Sequence, residues 1–487
     1  MKPITLKAIF IEKFILVRLL FSCTLMLLTA CDTREGEQLP PNVIVFLVDD
    51  LGWSDLGCYG SDLHETPNID RLANMGVKFT NAYSACTVCS PTRAAIMTAK
   101  YPARLNITDW IAGSINEYGK VKVPDWQKFL PLEEETIAEY LKNKGYQTAH
   151  VGKWHLGEDS IYYPQYQGFD VNIAGYSKGS PPSYFYPYVR PGREPIPYLE
   201  GGEAGEYLTD RLTEEALTFI KQNQKEPFFL NFDHYSVHTP IQGKDSLTAY
   251  YEEKVQQDFI HNNPEYAAMV SSTDQSLGRI VDALDSMDIL DNTIIFFTSD
   301  NGGLILWDIT SNAPLRSGKG SPYEGGTRVP MIVKPAGTFE GGTEVDEPVI
   351  SMDIFATVRD LFKDNEVEEG YHDGQSILPL LEQREESLSR DALYWHYPHH
   401  HEGGSHPHSS IREGDYKLIE FHEDGHLALY HLTDDIGETN DLSSEMPERT
   451  QAMYQKLQKW KEEVQAQMPL PNPDYDSIRA KEYYPTW

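Results

Sequence analysis

Long uninterrupted apolar runs, each ending abruptly in polar residues, set the pattern of the first three hundred positions. Asn42-Val43-Ile44-Val45-Phe46-Leu47-Val48 runs into Asp49-Asp50, and Pro227-Phe228-Phe229-Leu230-Asn231-Phe232 leads to His234 and His238. A third run, Thr293-Ile294-Ile295-Phe296-Phe297-Thr298-Ser299, gives way to Asp300-Asn301-Gly302-Gly303. A strand that is apolar at every position is buried on both faces. Between the runs, helical patterns extend over Leu132 to Lys144, Leu208 to Gln222 and Tyr266 to Met287. This alternation predicts an α/β fold, a mostly parallel sheet sandwiched by helices. Ligands of such sheets bind off the carboxyl ends of the strands, where each of these runs turns polar.

The texture changes after about residue 385. Short β-like pieces at Ala392 to Tyr397, Ser409 to Arg412, Tyr416 to Phe421 and Leu427 to Leu432 precede a polar helix over Pro447 to Gln467. The expected organisation is a catalytic domain over 41–385, a smaller C-terminal subdomain of antiparallel sheet plus helix over 386–470, and a surface tail over 471–487. Ahead of them, Lys2, Lys7, Lys13 and Arg18 precede the apolar run Leu19 to Ala30, the layout of a signal peptide. Leu28-Thr29-Ala30-Cys31 resembles a bacterial lipobox, which implies a lipoprotein signal peptide over 1–30, lipidation of Cys31 and a tether over 31–40. The expected location is therefore outside the cytoplasm, lipid-anchored to the outer membrane on its periplasmic side or at the cell surface. An ordinary cleaved signal or a single membrane anchor is the rival reading, although the apolar core is short for a span.

Composition sharpens this picture in two ways. With 487 residues, 29 Tyr and 8 Trp, the chain can bury a large core. A net charge of −33 repels polyanions at long range and argues against nucleic acid as a partner, so an anionic substrate must meet a local cationic pocket. Cys23 leaves with the signal and Cys31 takes the lipid, and of the cysteines that remain Cys58 and Cys86 are a pair that an oxidising periplasm would allow to bridge.

Asp49 and Asp50 end one predicted strand and Asp300 and Asn301 another, and parallel neighbours bring such ends together. Oxygen donors without sulfur or imidazole suit Ca²⁺ or Mg²⁺ rather than zinc. A divalent cation also accounts for carboxylates that would otherwise repel one another. Cys89-Ser90-Pro91-Thr92-Arg93 precedes the small-residue run Ala94-Ala95-Ile96-Met97-Thr98. Ser90 is a favoured N-cap and Pro91 suits the first helical position, which places Cys89 at an anion-attracting helix N-terminus with Arg93 one turn on. In Val151-Gly152-Lys153-Trp154-His155-Leu156-Gly157, extended backbone puts Lys153 and His155 on one face and Trp154 on the other. His238 lies in Val237-His238-Thr239-Pro240, with His234 read as a structural or substrate-side residue. Lys319 stands between glycines in Ser317-Gly318-Lys319-Gly320, which allow close approach to an anion.

Taken together these motifs resemble the type I, formylglycine-dependent sulfatases, in the branch of arylsulfatase A and N-acetylgalactosamine-6-sulfatase. Cys-x-Pro-x-Arg with its small-residue helix, Tyr101-Pro102-Ala103-Arg104, the Gly152 to Gly157 block, Ile411 to Ile419 and Leu429-Tyr430-His431-Leu432 carry the resemblance, which spans residues 40 to 465. It implies an alkaline-phosphatase-like fold and a sulfuric ester hydrolase. Cys89 would be oxidised to 3-oxoalanine, formylglycine, by a formylglycine-generating or anaerobic sulfatase-maturating enzyme. One oxygen of the hydrated aldehyde then attacks sulfur, and deprotonation of the second expels sulfate. By the same resemblance one Ca²⁺ is held by Asp49, Asp50, Asp300, Asn301 and the modified Cys89. Arg93, Lys153 and Lys319 supply positive charge, His155 assists deprotonation, and His238 protonates the leaving alcohol. The implied substrate is a sulfated polysaccharide or its oligosaccharides, algal such as ulvan or carrageenan, or a glycosaminoglycan.

The chain departs from the family pattern at Thr98-Ala99-Lys100, where glycine is frequent in place of Ala99, and the downstream serine of some sulfatases matches Ser177, Ser180 or Ser183 equally well. His396, His399, His400, His401, His406 and His408 form a histidine-rich loop, read as a rim for sugar hydroxyls, with a second metal site as the alternative. Two rival functions stand beside the sulfatase: a phosphonate or phosphodiester hydrolase of the same superfamily, and a non-catalytic glycan-binding surface lipoprotein.

Overall fold

The three apolar runs become the middle of an eight-stranded sheet in the computed structural model, which describes residues 39–483 apart from 114, 338, 340, 365–371 and 404. The proposed signal peptide and Cys31 lie outside the described residues. Across the sheet the strands run in the order Thr343–Val345, Val77–Phe79, Met331–Lys334, Thr293–Ser299, Asn42–Val48, Phe228–Asp233, Gln147–Gly152 and Val171–Ile173. Only Met331–Lys334 runs against the others. Side chains of Asn42–Val48 alternate between two cores: Ile44, Phe46 and Val48 pack toward the helices Leu208–Asn223 and Pro264–Ser286, and Val43, Val45 and Leu47 toward Cys89–Thr98 and Asp353–Leu361. Both faces are covered, as an apolar residue at every strand position requires.

Sequence patterns locate most elements to within a few residues. The expected helix over Leu132 to Lys144 begins later, at Ile137, because Thr136 and Glu139 form a capping box that sets its start. The C-terminal pieces form an antiparallel sheet of Leu393–Tyr397, His408–Glu413, Tyr416–Phe421 and Leu427–His431, covered by the helix Pro447–Glu463. This sheet is tied to the larger one through buried charge: Lys417 Nζ donates to Glu324 Oε1 at 2.9 Å and stands 3.2 Å from Glu438. Trp395 Nε1 donates to the Ser84 carbonyl at 2.8 Å. Beyond it, Leu470 and Pro471 pair with Lys122 and Val121, and Ser477–Tyr483 is helical, so the segment read as a surface tail carries regular structure. Cys58 and Cys86 are free thiols belonging to separate parts of the core, so the pairing considered from sequence is not formed.

The turn that carries Asp49 and Asp50 off their strand is braced from below. Asp50 adopts a left-handed backbone (φ 60°), which Asp tolerates better than most residues. Just beyond, Asp55 accepts hydrogen bonds from Gly52 N at 2.7 Å, Tyr266 Oη at 2.6 Å and Thr310 Oγ1 at 2.6 Å. His261 lies 3.4 Å from Asp55 and 2.7 Å from Asp62. Asp55, His64 and His261 converge like metal ligands, but the hydrogen bonds already occupy the Asp55 oxygens and an imidazolium supplies the positive charge. Burial alone would lower the His261 pKa; hydrogen bonds and charge from Asp55 and Asp62 outweigh it and raise it to about 9. His64, buried beside it, is lowered to about 4 and is neutral.

A histidine whose pKa rises on folding from an unfolded value near 6.5 contributes stability fully present below about pH 6.5 and lost as pH climbs through about 9. The difference in stability between wild type and His261→Gln should therefore shrink by ~3 kcal/mol between pH 6 and pH 9.5, read from denaturant unfolding. A difference independent of pH would contradict the charged brace.

Candidate active site

Parallel register brings the polar strand ends into one layer. Val48 pairs with Ser299 and Leu47 with Asp233, so Asp49, Asp50, Asp300 and Asp233 all emerge at one edge of the sheet, each no more than 3% exposed. Gly152, ending the next strand, has φ +107°, and a Cβ there would meet the Asp233 carbonyl oxygen at 1.8 Å. Only glycine lets the chain turn there and deliver Lys153.

Three cations compensate the carboxylates. Arg93 Nε donates to Asp300 Oδ2 at 2.9 Å, while its Nη1 donates to Asp233 Oδ2 at 3.1 Å and to the Lys153 carbonyl at 2.8 Å. Lys153 Nζ donates to Asp49 Oδ2 at 2.7 Å, and Lys319 Nζ to Asp50 Oδ1 at 2.6 Å. Burial pushes the Asp50 and Asp300 carboxyls up, but Lys319 and His238 at the first and Arg93 and Lys153 at the second outweigh it and hold both below the usual carboxylate range. Asp49 goes the other way. Its burial, together with Asp300 and Asp50, raises it well above the usual range despite Lys153 and Arg93. Burial lifts Asp233 to about 7.

A cation fits this arrangement. Asp49 Oδ1, Asp50 Oδ2 and Asn301 Oδ1 are buried without a hydrogen-bond partner, and Asp49, Asp50 and His238 place ligand atoms within 4.8 Å of one another. Unpartnered buried oxygens and a carboxyl raised by burial and by like charge are what an oxygen-ligated divalent ion would relieve. Asn301 belongs to the cluster, its Nδ2 donating to Asp50 Oδ1 at 2.7 Å, and Asp300 Oδ1 accepts from Asp50 N at 3.2 Å.

Cys89 is the first residue of the helix Cys89–Thr98 and is 3% exposed. The expected cap is not Ser90: Val88 is the N-cap, and Ser90 lies inside the helix. Its hydroxyl instead donates to the His155 carbonyl at 2.9 Å and accepts from Ile111 N at 3.1 Å, clamping both neighbours of the cysteine. His155 Nδ1 lies 3.3 Å from Cys89 Sγ. Its Nε2 contacts the Ile111 carbonyl, which can only accept, so the proton sits on Nε2 and the Nδ1 lone pair faces position 89. Burial, with Lys153, holds this ring well below its usual pKa, and burial raises the Cys89 thiol. His238 Nδ1 donates to the Thr239 carbonyl at 2.9 Å, leaving Nε2 3.6 Å from Asp50 Oδ2. Burial lowers its pKa to about 3.

All the residues expected from sequence therefore converge. His234 does not join them; it is buried and bonds Ser276 Oγ at 2.9 Å, a structural residue. Ser177 and Ser180 line the cavity above Cys89 and Ser183 does not. Most of the histidine loop turns inward: His396 bonds Ser409 and Gln467, His399 bonds Thr108 and His400 pairs with Glu423, while His401 reaches the cavity at Cys89 and lines, with His400, the cavity beside it. Among the described residues these histidines form no metal-like group. Sequence reasoning missed Asp233, which ends its strand as Asp49 and Asp300 end theirs, and the Ile111 carbonyl, whose role no side chain announces. It also missed Trp110, Lys178 and Arg193 on the cavity wall.

The site sits in a chain whose residues 41–364 match the family profile described as Sulfatase, and whose residues 318–467 match N-sulphoglucosamine sulphohydrolase, C-terminal. It is similar to a sulfatase of Formosa agariphila, 33% identical over 92% of this chain and 93% of that protein. It is also similar to human N-acetylgalactosamine-6-sulfatase, 34% identical over 71% of this chain and 67% of that protein. Among solved structures, Ps i-CgsB in complex with k-i-k-neocarrahexaose superposes with a TM-score of 0.74 at 30% identity, covering 91% of this chain and 97% of that one. The sheet between helices, the C-terminal antiparallel sheet and the profile match together establish that the chain belongs to the sulfatase family, sulfuric ester hydrolases of alkaline-phosphatase-like fold.

Proposed function

We propose that this sulfatase removes sulfate from a sulfated polysaccharide or its oligosaccharides, algal such as carrageenan or ulvan or a glycosaminoglycan, using formylglycine made from Cys89 and one Ca²⁺. The observation that carries the chemistry is a single buried layer in which Cys89 meets an unprotonated His155 nitrogen beside three buried oxygens without hydrogen-bond partners. The glycan reading is supported by what the relatives act on or hold: N-acetylgalactosamine-6-sulfatase by name, and Ps i-CgsB with its bound neocarrahexaose. Maturation requires a formylglycine-generating or anaerobic sulfatase-maturating enzyme. Export with a lipid on Cys31, to the outer membrane, remains part of the proposal and rests on the Leu28 to Cys31 segment. Among the described residues no helix is long and apolar enough to cross a membrane.

Formylglycine would supply a hydrated aldehyde as nucleophile, and Ca²⁺, which Asp49, Asp50, Asp300 and Asn301 would hold, would lower the cost of negative charge beside it. The protein's own groups do the rest. His155 Nδ1, neutral and 3.3 Å from the position 89 side chain, accepts the proton, with the Ile111 carbonyl fixing the tautomer. Lys319 and Lys153 stand where the nonbridging sulfuryl oxygens gather charge, preorganised by their aspartates. Arg93 positions Asp300 and Asp233 and the backbone of Lys153. His238 offers Nε2 to the departing bridging oxygen, and a proton on it turns the leaving alkoxide into an alcohol.

Cys89→Ala, made in a host that converts the cysteine, should lose ~10³-fold or more of sulfate release while its melting temperature stays near wild type. Sulfate release retained by a folded Cys89→Ala protein would overturn the mechanism. Chelation should lower both turnover and melting temperature, and added Ca²⁺ should restore both, since an ion bound only by the folded state stabilises it. A melting curve blind to chelator and Ca²⁺ would remove the metal from the site. Across a panel of algal polysaccharides and glycosaminoglycans, release from one glycan identifies the substrate, whereas faster hydrolysis of aryl phosphodiesters than of aryl sulfates favours the phosphodiesterase reading.

A further inference from the structure

The cavity above Cys89, about 420 Å³, continues past the reacting centre. Trp110, Ala112, His401 and Glu402 line it and also line a second cavity of about 550 Å³. That cavity shares Ile115 and Glu117 with a third, of about 720 Å³, whose wall includes Asn472 to Asp476 and Arg479. Shared walls place the three side by side in one row, the shape of a trough. Each alone falls within the size of a small-ligand site, roughly 300–1,000 Å³, so one sulfated sugar fills only the first.

The far wall is a built feature. Asn472 Nδ2 donates to the carbonyls of Glu117 at 2.9 Å and Gly119 at 2.8 Å, and Asn116 Nδ2 donates to the Ala480 carbonyl at 3.2 Å. Arg479 lies over the Tyr118 ring, 3.5 Å from its centroid, and donates to its hydroxyl. These contacts hold the C-terminal segment against residues 116–122 and give the trough a fixed length.

Its lining carries both signs of charge, Glu117 and Asp476 among the acids. In a chain of net charge −33, Lys178 and Arg193 at the first cavity, Lys128 at the second and Lys122 at the third make no ion pair among the described residues. Carboxylates such as Glu158, Glu402 and Asp474 lie between them. Unpaired cations suit sulfate groups, carboxylates accept from sugar hydroxyls, and the rings of Trp110 and Tyr475 offer apolar faces with polar rims.

We propose that this trough binds an extended, partly sulfated glycan, with subsites for several sugars beyond the one that carries the scissile sulfate. The inference rests on the sulfatase reading above and adds that length of substrate is recognised. A longer chain gains binding from the second and third cavities without altering the chemistry at Cys89, so affinity changes with length and the rate of the chemical step does not.

Turnover of a small aryl sulfate, inhibited by disaccharides and hexasaccharides of the carrageenan and chondroitin sulfate series, tests this. The expected result is hexasaccharide inhibition at least ~10-fold stronger than disaccharide inhibition in one series. Lys122→Glu, an exposed residue, should weaken the hexasaccharide several-fold and leave the disaccharide and the aryl sulfate constants unchanged. Tyr118→Ala, with its melting temperature recorded, gives a second probe of the far end. Equal inhibition by both lengths in both series, or variants that shift short and long ligands alike, overturns the trough. Absence of sulfate release from the aryl sulfate and from every glycan of the panel by formylglycine-containing protein overturns the proposed function, whereas release with no dependence on length overturns the trough alone.

Discussion

Burying four carboxylates at one edge of a sheet is the constraint on which the rest of this molecule depends. Each costs several kcal/mol in lost hydration unless charge and hydrogen bonds replace the water. Asp49, Asp50, Asp233 and Asp300 obtain that replacement from Arg93, Lys153 and Lys319, drawn from three distant parts of the chain. Because Arg93 lies on the helix that begins at Cys89, neutralising Asp300 and Asp233 also fixes where Cys89 stands. Because Lys153 follows Gly152 at a strand end, pairing it with Asp49 also fixes His155 two residues on. Charge compensation and placement of the reacting groups are one set of contacts.

The sheet and the strand-end chemistry were legible because both follow from local pattern. An apolar run that ends in polar residues identifies a buried parallel strand and its ligand-bearing end at once; Asn42 to Asp50 and Thr293 to Asn301 obey it in full, whereas at the end of Phe228 to Phe232 the site contact is made by Asp233 and not by the more conspicuous His234. What depended on side-chain competition was not. Ser90 read as a helix cap because serine favours that position, yet Val88 caps the helix while the Ser90 hydroxyl bonds His155 and Ile111 across the fold. The histidine loop read as one surface feature, but most of its rings satisfy buried partners one by one. The departure at Ala99 also has a physical form: its backbone is left-handed, φ 55°, at the C-cap of the Cys89 helix, where glycine carries no Cβ penalty.

Net charge and local field point in opposite directions here, and the scale of screening reconciles them. At physiological salt the Debye length is about 8 Å, so the overall charge of −33 governs solubility and long-range encounter, not the field inside a water-poor cleft. Within the cleft, Lys319 and Lys153 are buried against their aspartates and act at full strength on whatever lies beside Cys89. Along the trough the cations are exposed and weakly coupled, suited to many shallow contacts with a long ligand rather than to one deep one.

Buried His155 and half-buried His238 flank the site with opposite nitrogens available, and carbonyl groups decide which. Ile111 takes the Nε2 proton of His155 and leaves Nδ1 toward position 89; Thr239 takes the Nδ1 proton of His238 and leaves Nε2 toward the cavity. Burial lowers the pKa of both. For His155 that is the state a base needs before any substrate arrives. For His238 it is the wrong state for an acid, unless the ligand itself changes it. Lys319 and Lys153 depress His238 alongside burial, and a sulfate ester set between these groups brings negative charge that opposes them. In the proposed reaction the ligand's charge would therefore favour a proton on His238 Nε2, while the Ile111 carbonyl keeps His155 Nδ1 free to accept one.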